Sequence, residues 1–317
     1  MREELLALDA VRLNFSTEGV FFINITLAFI MYGVALGIKV QHFRDVFKSP
    51  KLPIIGFLSQ FLALPILTFL IIILFNSFIT PTVAMGMILV AACPGGNISN
   101  FITALAKGNA ALSVSLTAIA TIAAIIMTPL NFKIWGGLYN GYLSASSHGL
   151  LQPLSINPNR MFQAVVILLG IPLVLGMLTN HFLPKFTARI DRPIRISSII
   201  IFFLLVIAML SNNIEYFLAY IKFVFIIVLI HNGLGYLAGS YFSRLFGIHG
   251  ANRRTIAIET GIQNSGLGLA LLFNPKIFPA ELNNGGMAFI AAWWGIWHII
   301  SGLTLAWYWS RKPSKIN

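Results

Sequence analysis

One carboxylate, Glu259, lies in surroundings that are otherwise apolar, within the stretch Thr255 to Gly268, TIAIETGIQNSGLG. The other acidic residues (Glu3, Glu4, Asp9, Glu18, Asp45, Asp191, Glu215 and Glu281) lie in or beside polar connections. A charge inside a bilayer costs about 2.5–3.5 kcal/mol, so such a residue marks an ion or substrate path by default. Oxygen-bearing side chains gather at this stretch and at three others. Gln60 sits in FLSQFLALP, and Asn97, Ser99 and Asn100 follow Pro94-Gly95-Gly96. Ser113 and Thr117 share a helical face at i, i+4, after Asn109, which suits an N-cap. Glu259 and Gln263 repeat the i, i+4 spacing, with Asn264 beside them. Carboxylate, carboxamide and hydroxyl oxygens are the ligands a hard cation takes, so sodium binding is the chemistry these groups could do. Each also has a structural reading. Ser113 and Thr117 could bond back to their own helix, Gln60 could clasp a neighbouring helix, and Glu259 could pair with Arg253 or Arg254.

The scaffold around these residues is a membrane one. Hydrophobic residues make up 57% of the chain and charged ones 9%, with a mean hydropathy of +0.85. A soluble domain carries roughly 25% charged residues, so this chain cannot cover a water-facing surface. Long continuous apolar runs predict helices and not an outer-membrane barrel. The net charge of +12 falls in short basic connections between apolar runs, which favours a lipid bilayer over nucleic acid as partner. The lone Cys93 excludes an intramolecular disulfide and a cysteine metal site. The N-terminal MREELLALDAVRLNF has no signal-peptide character and reads as an amphipathic interfacial lead-in.

The apolar runs predict an all-α polytopic membrane protein with about nine spans, near 19–38, 52–75, 83–106, 110–130, 160–182, 194–211, 217–243, 252–273 and 286–309. Basic residues alternate between connections. Lys39, Arg44, Lys48 and Lys51, then Lys107, then Lys185, Arg189, Arg192 and Arg195, then Arg244, Arg253 and Arg254, then Arg311, Lys312 and Lys315 form one set. Lys133, Arg160, Lys222 and Lys276 form the sparse alternate set. This bias puts the first set and the C-terminus in the cytoplasm and the N-terminus outside. The third span is interrupted at Pro94-Gly95-Gly96, and the eighth around Thr260 to Gly268. Broken helices in matching places of antiparallel halves point to an inverted-repeat transporter with its site at the midplane. Residues 131–159, rich in Gly, Ser, Pro and aromatics, read as an outer loop.

Cys93 to Thr117, CPGGNISNFITALAKGNAALSVSLT, taken with ETGIQNSGLG from Glu259 to Gly268, resembles the bile acid:sodium symporter family along essentially the whole chain. That resemblance implies a core, about 52–130 and 217–309, holding two crossed broken helices. A panel, about 19–38 and 160–211, would stand against it. It implies one sodium held by Ser99, Asn100, Ser113, Thr117 and Glu259. A second would be held by Gln60, Glu259 and Gln263 with the carbonyls of Thr260 and Ile262. Substrate contact is implied for Asn97 and Asn264. His298, in WHIISG, matches a family WHNxSG element, although Ile299 replaces its asparagine.

These readings combine into a sodium-coupled symporter of the cell membrane, moving an organic anion (bile acid-like or a small carboxylate) by alternating access. It is expected to be no enzyme and to use no cofactor beyond two coupling sodium ions. HExxH and GxSxG elements and a pair of aspartates within spans are all missing. The competing readings are proton coupling at Glu259 and a membrane receptor that binds the ligand without moving it.

Overall fold

The computed structural model describes residues 2–11, 17–38, 50–146, 158–211, 214–278 and 282–312. Among them the regular elements are all helices, and five are long and apolar enough to cross a membrane. It is a multi-pass membrane protein. Lys39, Arg44, Lys48, Glu281 and Lys315 lie outside the described residues, as do residues 147–157 of the expected outer loop.

Helix α1 (Arg2–Asp9) buries Leu5 and Leu8, three residues apart, and leaves its charged first turn exposed. Then come α2 (Thr17–Leu36) and α3 (Lys51–Leu74). Inside α3, Ser59–Ala63 widens into a π turn just before Pro65. Pro65 lacks the N–H that would close an α turn on Phe61, and a π bulge absorbs the gap. The same arrangement recurs in α7 (Asn159–Phe182), where Val166–Gly170 is a π turn just before Pro172.

The third expected span is two helices, α4 (Pro81–Ala92) and α5 (Ile98–Leu105). Every residue of α4 from Thr82 to Ala92 is buried, as befits a helix apolar on all sides. Next is α6 (Ala110–Ser146), whose first turn Asn109 caps by accepting from Leu112 N at 3.1 Å. It corrects the loop expected over 131–159, because residues 131–146 continue the helix. Phe132, Tyr139 and Leu143 are buried on one face of that extension and Trp135 packs beside them, the spacing of a packed helix.

Helix α8 (Pro184–Ser211) begins ten residues before its expected apolar start, so Lys185, Arg189 and Arg192 are helical and not in a connection. Then follow α9 (Ile214–Leu245), the second broken span as α10 (Gly250–Gly261) and α11 (Ser265–Leu272), and α12 (Gly285–Ser310).

Two side-chain hubs mark the two ends of the bundle. At one, Arg254 donates to the carbonyls of Ala106 and Trp309 at 3.0 Å and of Lys312 at 3.1 Å. Beside it Asn109 Nδ2 donates to Asn252 Oδ1 at 2.8 Å. At the other, the Asp9 carboxylate accepts from Thr80 Oγ1 at 2.6 Å and from Thr82 Oγ1 at 2.5 Å. Arg160 reaches the Lys276 carbonyl, and Lys222 lies 3.9 Å from Glu4. Lys107, Arg254 and Lys312 thus share one end, while Arg160, Lys222 and Lys276 belong to the other, as the alternating charge bias requires. Helix α2 packs against α7 and α8, and α9 lies along α10. A Cβ at Gly239 would stand 2.6 Å from Ala257 Cα, so only glycine lets α9 approach α10 this closely.

Candidate functional site

The two broken helices cross with their unwound segments paired. Gly95 and Gln263 form an antiparallel bridge. Gly96 N donates to Ile262 O and Asn264 N to Pro94 O, each at 2.8 Å. Cys93 and Ile262, which end α4 and α10, are both extended. Unwound backbone inside a membrane protein must find partners within the protein, and here each break supplies them to the other. Helices α5 and α11 start at the crossing, with Asn97 and Asn264 at their N-cap positions, so the positive ends of two helix dipoles converge there.

Glu259 stands in the last turns of α10, buried, within a ring of hydroxyls. Its Oε1 accepts from Ser99 Oγ at 2.6 Å and from Ser113 Oγ, and its Oε2 accepts from Thr117 Oγ1 at 3.0 Å. Asn100 Oδ1 lies 2.9 Å from Ser113 Oγ and 3.2 Å from Thr117 Oγ1, an alternative acceptor for either proton. The structure therefore brings together all five residues of the first expected set. Ser113 and Thr117 do not bond back to their own helix. Thr121, one turn on, does so, donating to Thr117 O at 2.7 Å. Arg254 donates to helix-end carbonyls and does not hydrogen-bond Glu259.

The second expected set comes together differently. Gln60 Nε2 donates to Gln263 Oε1 at 2.7 Å and to Cys93 O at 3.1 Å, while Gln263 Nε2 donates to Thr260 O at 2.6 Å. This is a hydrogen-bonded clasp between α3 and both breaks, with the amide nitrogen of Gln60 turned inward. The Ile262 carbonyl already accepts from Gly96. Glu259 hydrogen-bonds the first cluster and not this one. Gly95 lies between them. A Cβ there would meet Glu259 Oε2 at 3.2 Å, Glu259 O at 3.3 Å and Ile262 O at 3.7 Å.

Both clusters border a cavity of about 870 Å³. Asn97, Asn100, Thr117, Gln263, Asn264 and His298 line its polar side. Leu27, Ile30 and Val34 of α2 add apolar lining, and α8 brings Ile196 together with Asp191, Arg192 and Ser198. Asn97 Oδ1 and His298 Nδ1 are buried without a hydrogen-bond partner. Asn264 has a second duty: its Oδ1 accepts from Leu267 N at 3.1 Å and caps α11.

Two contributors escape a reading of the sequence. Thr103 Oγ1 lies 3.3 Å from Ser113 Oγ, and Ser59 Oγ lies 2.8 Å from Thr260 Oγ1. Thr103 carries a usable signal, since it follows Ser99 at i, i+4 on α5. Ser59 carries none, because the π turn sets which way it faces.

Residues 24–220 match the Sodium Bile acid symporter family. The chain is similar to an uncharacterized sodium-dependent transporter of Bacillus subtilis (strain 168), 33% identical over 96% of this chain and 89% of that protein. It is similar to a probable chloroplastic sodium/metabolite cotransporter of Arabidopsis thaliana, 34% identical over 95% of this chain and 69% of that protein. A human ileal sodium/bile acid cotransporter is 30% identical over 82% of this chain and 71% of its own length.

Proposed function

Because the chain belongs to the sodium bile acid symporter family, a family of transporters and not of enzymes, we propose that it couples sodium entry to uptake of an organic anion. The observation that best supports this reading is the convergence of Ser99, Asn100, Ser113 and Thr117 on Glu259 at the rim of the cavity. A hydroxyl that donates its proton to the carboxylate keeps its lone pairs. The cluster therefore offers a sodium ion several oxygens around one negative charge, the ligand set a hard cation takes. A second sodium is assigned to Gln60, Gln263 and the carbonyls of Thr260 and Ile262, close enough to Glu259 to share its charge. Taking that ion requires the Gln60 amide to turn and offer its oxygen.

One carboxylate leaves two sodium ions under-neutralised, and an anionic cargo makes up the balance. Its charged group is assigned to Asn97, Asn264 and the N-termini of α5 and α11, where helix dipoles favour an anion. The apolar body then lies against Leu27, Ile30 and Val34. His298 is assigned to the same wall of the site. Two sodium ions with one monovalent anion move a net positive charge, worth roughly 2.3 kcal/mol per 100 mV. Access alternates as α2, α7 and α8 rock as a panel against the remaining helices. The protein is assigned to the cell membrane, with the Arg254 end cytoplasmic and the Asp9 end outside.

The test is uptake of a panel of labelled organic anions into proteoliposomes under an inward sodium gradient. Sodium-dependent, voltage-sensitive accumulation that Glu259→Ala abolishes is expected. Accumulation driven by a pH gradient in sodium-free medium would assign proton coupling to Glu259 instead. Ligand binding without counterflow would make the protein a receptor.

A further inference from the structure

A chain of hydrogen bonds ends on the carbonyl where α10 terminates. Asn232 Nδ2, on α9 and buried, donates to Gly261 O at 2.7 Å. Its other end is fixed, because Asn232 Oδ1 accepts from Ser301 Oγ of α12 at 2.6 Å. Tyr236 OH, one turn along α9, donates to Ser301 Oγ at 3.2 Å, with the His298 carbonyl 3.3 Å away. Donor and acceptor roles follow from the groups themselves. A carbonyl can only accept, so the amide nitrogen of Asn232 must face Gly261, and its oxygen must then face the serine hydroxyl.

The position of that carbonyl matters. Gly261 sits between Thr260 and Ile262, whose carbonyls belong to the second sodium set, and Gln263 follows. Ordinary helical bonding cannot hold this carbonyl, because the helix stops here. The bond from Asn232 occupies it and fixes the tilt of the peptide planes on either side. At the far end of the chain, His298 lines the cavity, and its carbonyl lies 3.3 Å from Tyr236 OH. These contacts thus run from the cavity wall at His298 to the backbone turn assigned to the second sodium.

We propose that Asn232, oriented by Ser301 and Tyr236, is a positioning residue for the Thr260–Gln263 sodium site and ties that site to the cavity wall at His298. None of the three side chains touches the ion; they act through the Gly261 carbonyl. The proposal rests on the sodium-symport reading and adds to it the element that makes the two sites answer to each other. Loss of Asn232 or Ser301 leaves the Glu259 cluster intact but lets the α10 break relax, so sodium binding weakens and loses its cooperativity.

The experiment titrates purified full-length protein with NaCl, balanced with KCl at constant ionic strength. It follows the melting temperature and the fluorescence of the six tryptophans, three of which (Trp293, Trp294 and Trp297) lie on α12 just before His298. Asn232→Ala and Ser301→Ala are expected to raise the sodium midpoint about tenfold, the scale of one hydrogen bond, and to flatten the titration. Ser301→Thr, which keeps the hydroxyl, restores the wild-type curve. Thr304→Ala, which removes only a bond to the carbonyl of its own helix, leaves the curve unchanged. A wild-type midpoint and steepness in Ser301→Ala overturns the proposal, and this variant decides the matter if Asn232→Ala does not fold. A wild-type protein indifferent to sodium overturns the symport reading and this inference with it. A response that Glu259→Ala removes but Ser301→Ala does not overturns this inference alone.

Discussion

Glu259→Gln separates the charge of the central carboxylate from its shape. The side chain keeps its volume, and the amide oxygen can take the place of Oε1, accepting from Ser99 and Ser113. The amide nitrogen then faces Thr117, which can turn its hydroxyl to Asn100 Oδ1, already 3.2 Å away. The fold therefore loses about one hydrogen bond, roughly 1 kcal/mol, and the melting temperature in sodium-free buffer changes by only about 2–4 °C. Sodium binding loses much more. A unit charge about 4 Å from the ion, at an effective dielectric constant near 20, is worth about 4 kcal/mol. At 1.4 kcal/mol per decade this is roughly a thousandfold in affinity. Melting temperature against NaCl at constant ionic strength measures both quantities on one sample. A variant that melts like wild type without sodium and does not respond below molar sodium is the expected result. A sodium midpoint within tenfold of wild type would refute the central role given to this charge.

Three further outcomes follow from named contacts. Gly95→Ala places a Cβ 3.2 Å from Glu259 Oε2 and 3.3 Å from its carbonyl, and should cost about 1–3 kcal/mol by overpacking, read as a lower melting temperature with a weaker sodium response. Gln60→Leu leaves Gln263 Oε1 and Cys93 O without the donor they now share, which should cost about 1–3 kcal/mol and flatten the sodium dependence of uptake. Burial raises the Asp9 carboxyl above its ordinary 3.8, against the lowering effect of its bonds from Thr80 and Thr82. A folded-state pKa raised in this way gives stability that is fully present below about pH 3.8 and is lost as pH rises through the higher value. Asp9→Asn should remove that slope from a series of melts across the acidic range, and an unchanged slope would dismiss Asp9 as its source.

The breaks were the most legible part of this fold, because Pro94-Gly95-Gly96 and the polar run from Glu259 to Asn264 each contradict a membrane helix on their own. The cluster around Glu259 was legible for the same reason, since in an apolar span every polar side chain must find a partner. Residues 131–146 read as loop because Gly136, Gly137, Gly141, Asn131 and Asn140 have the composition of one. The stripe of Phe132, Trp135, Tyr139 and Leu143 carries the helical spacing beneath it, and its packing outweighs the poor intrinsic propensity. The early start of α8 was hidden because a hydropathy pattern ignores charged helix, although Lys and Arg are good helix formers. No pattern in the sequence could tell that Gln60 turns its nitrogen to the breaks. That orientation depends on the acceptors Cys93 O and Gln263 Oε1, which only the crossing brings within reach.

The paired breaks also carry a consequence for biosynthesis. Pro94 O and Gly96 N find their partners only in Asn264 and Ile262, which leave the ribosome roughly half the chain later. Until then the first break holds unsatisfied backbone groups, each costing several kcal/mol if it meets hydrocarbon. The first four spans must therefore keep that break wet, or shielded by other protein, while the rest of the chain is made. A truncated chain ending before Gly250 would carry the defect permanently. Such a fragment should insert into the membrane yet be cleared by quality control, whereas co-expression with the missing residues 250–317 should rescue it.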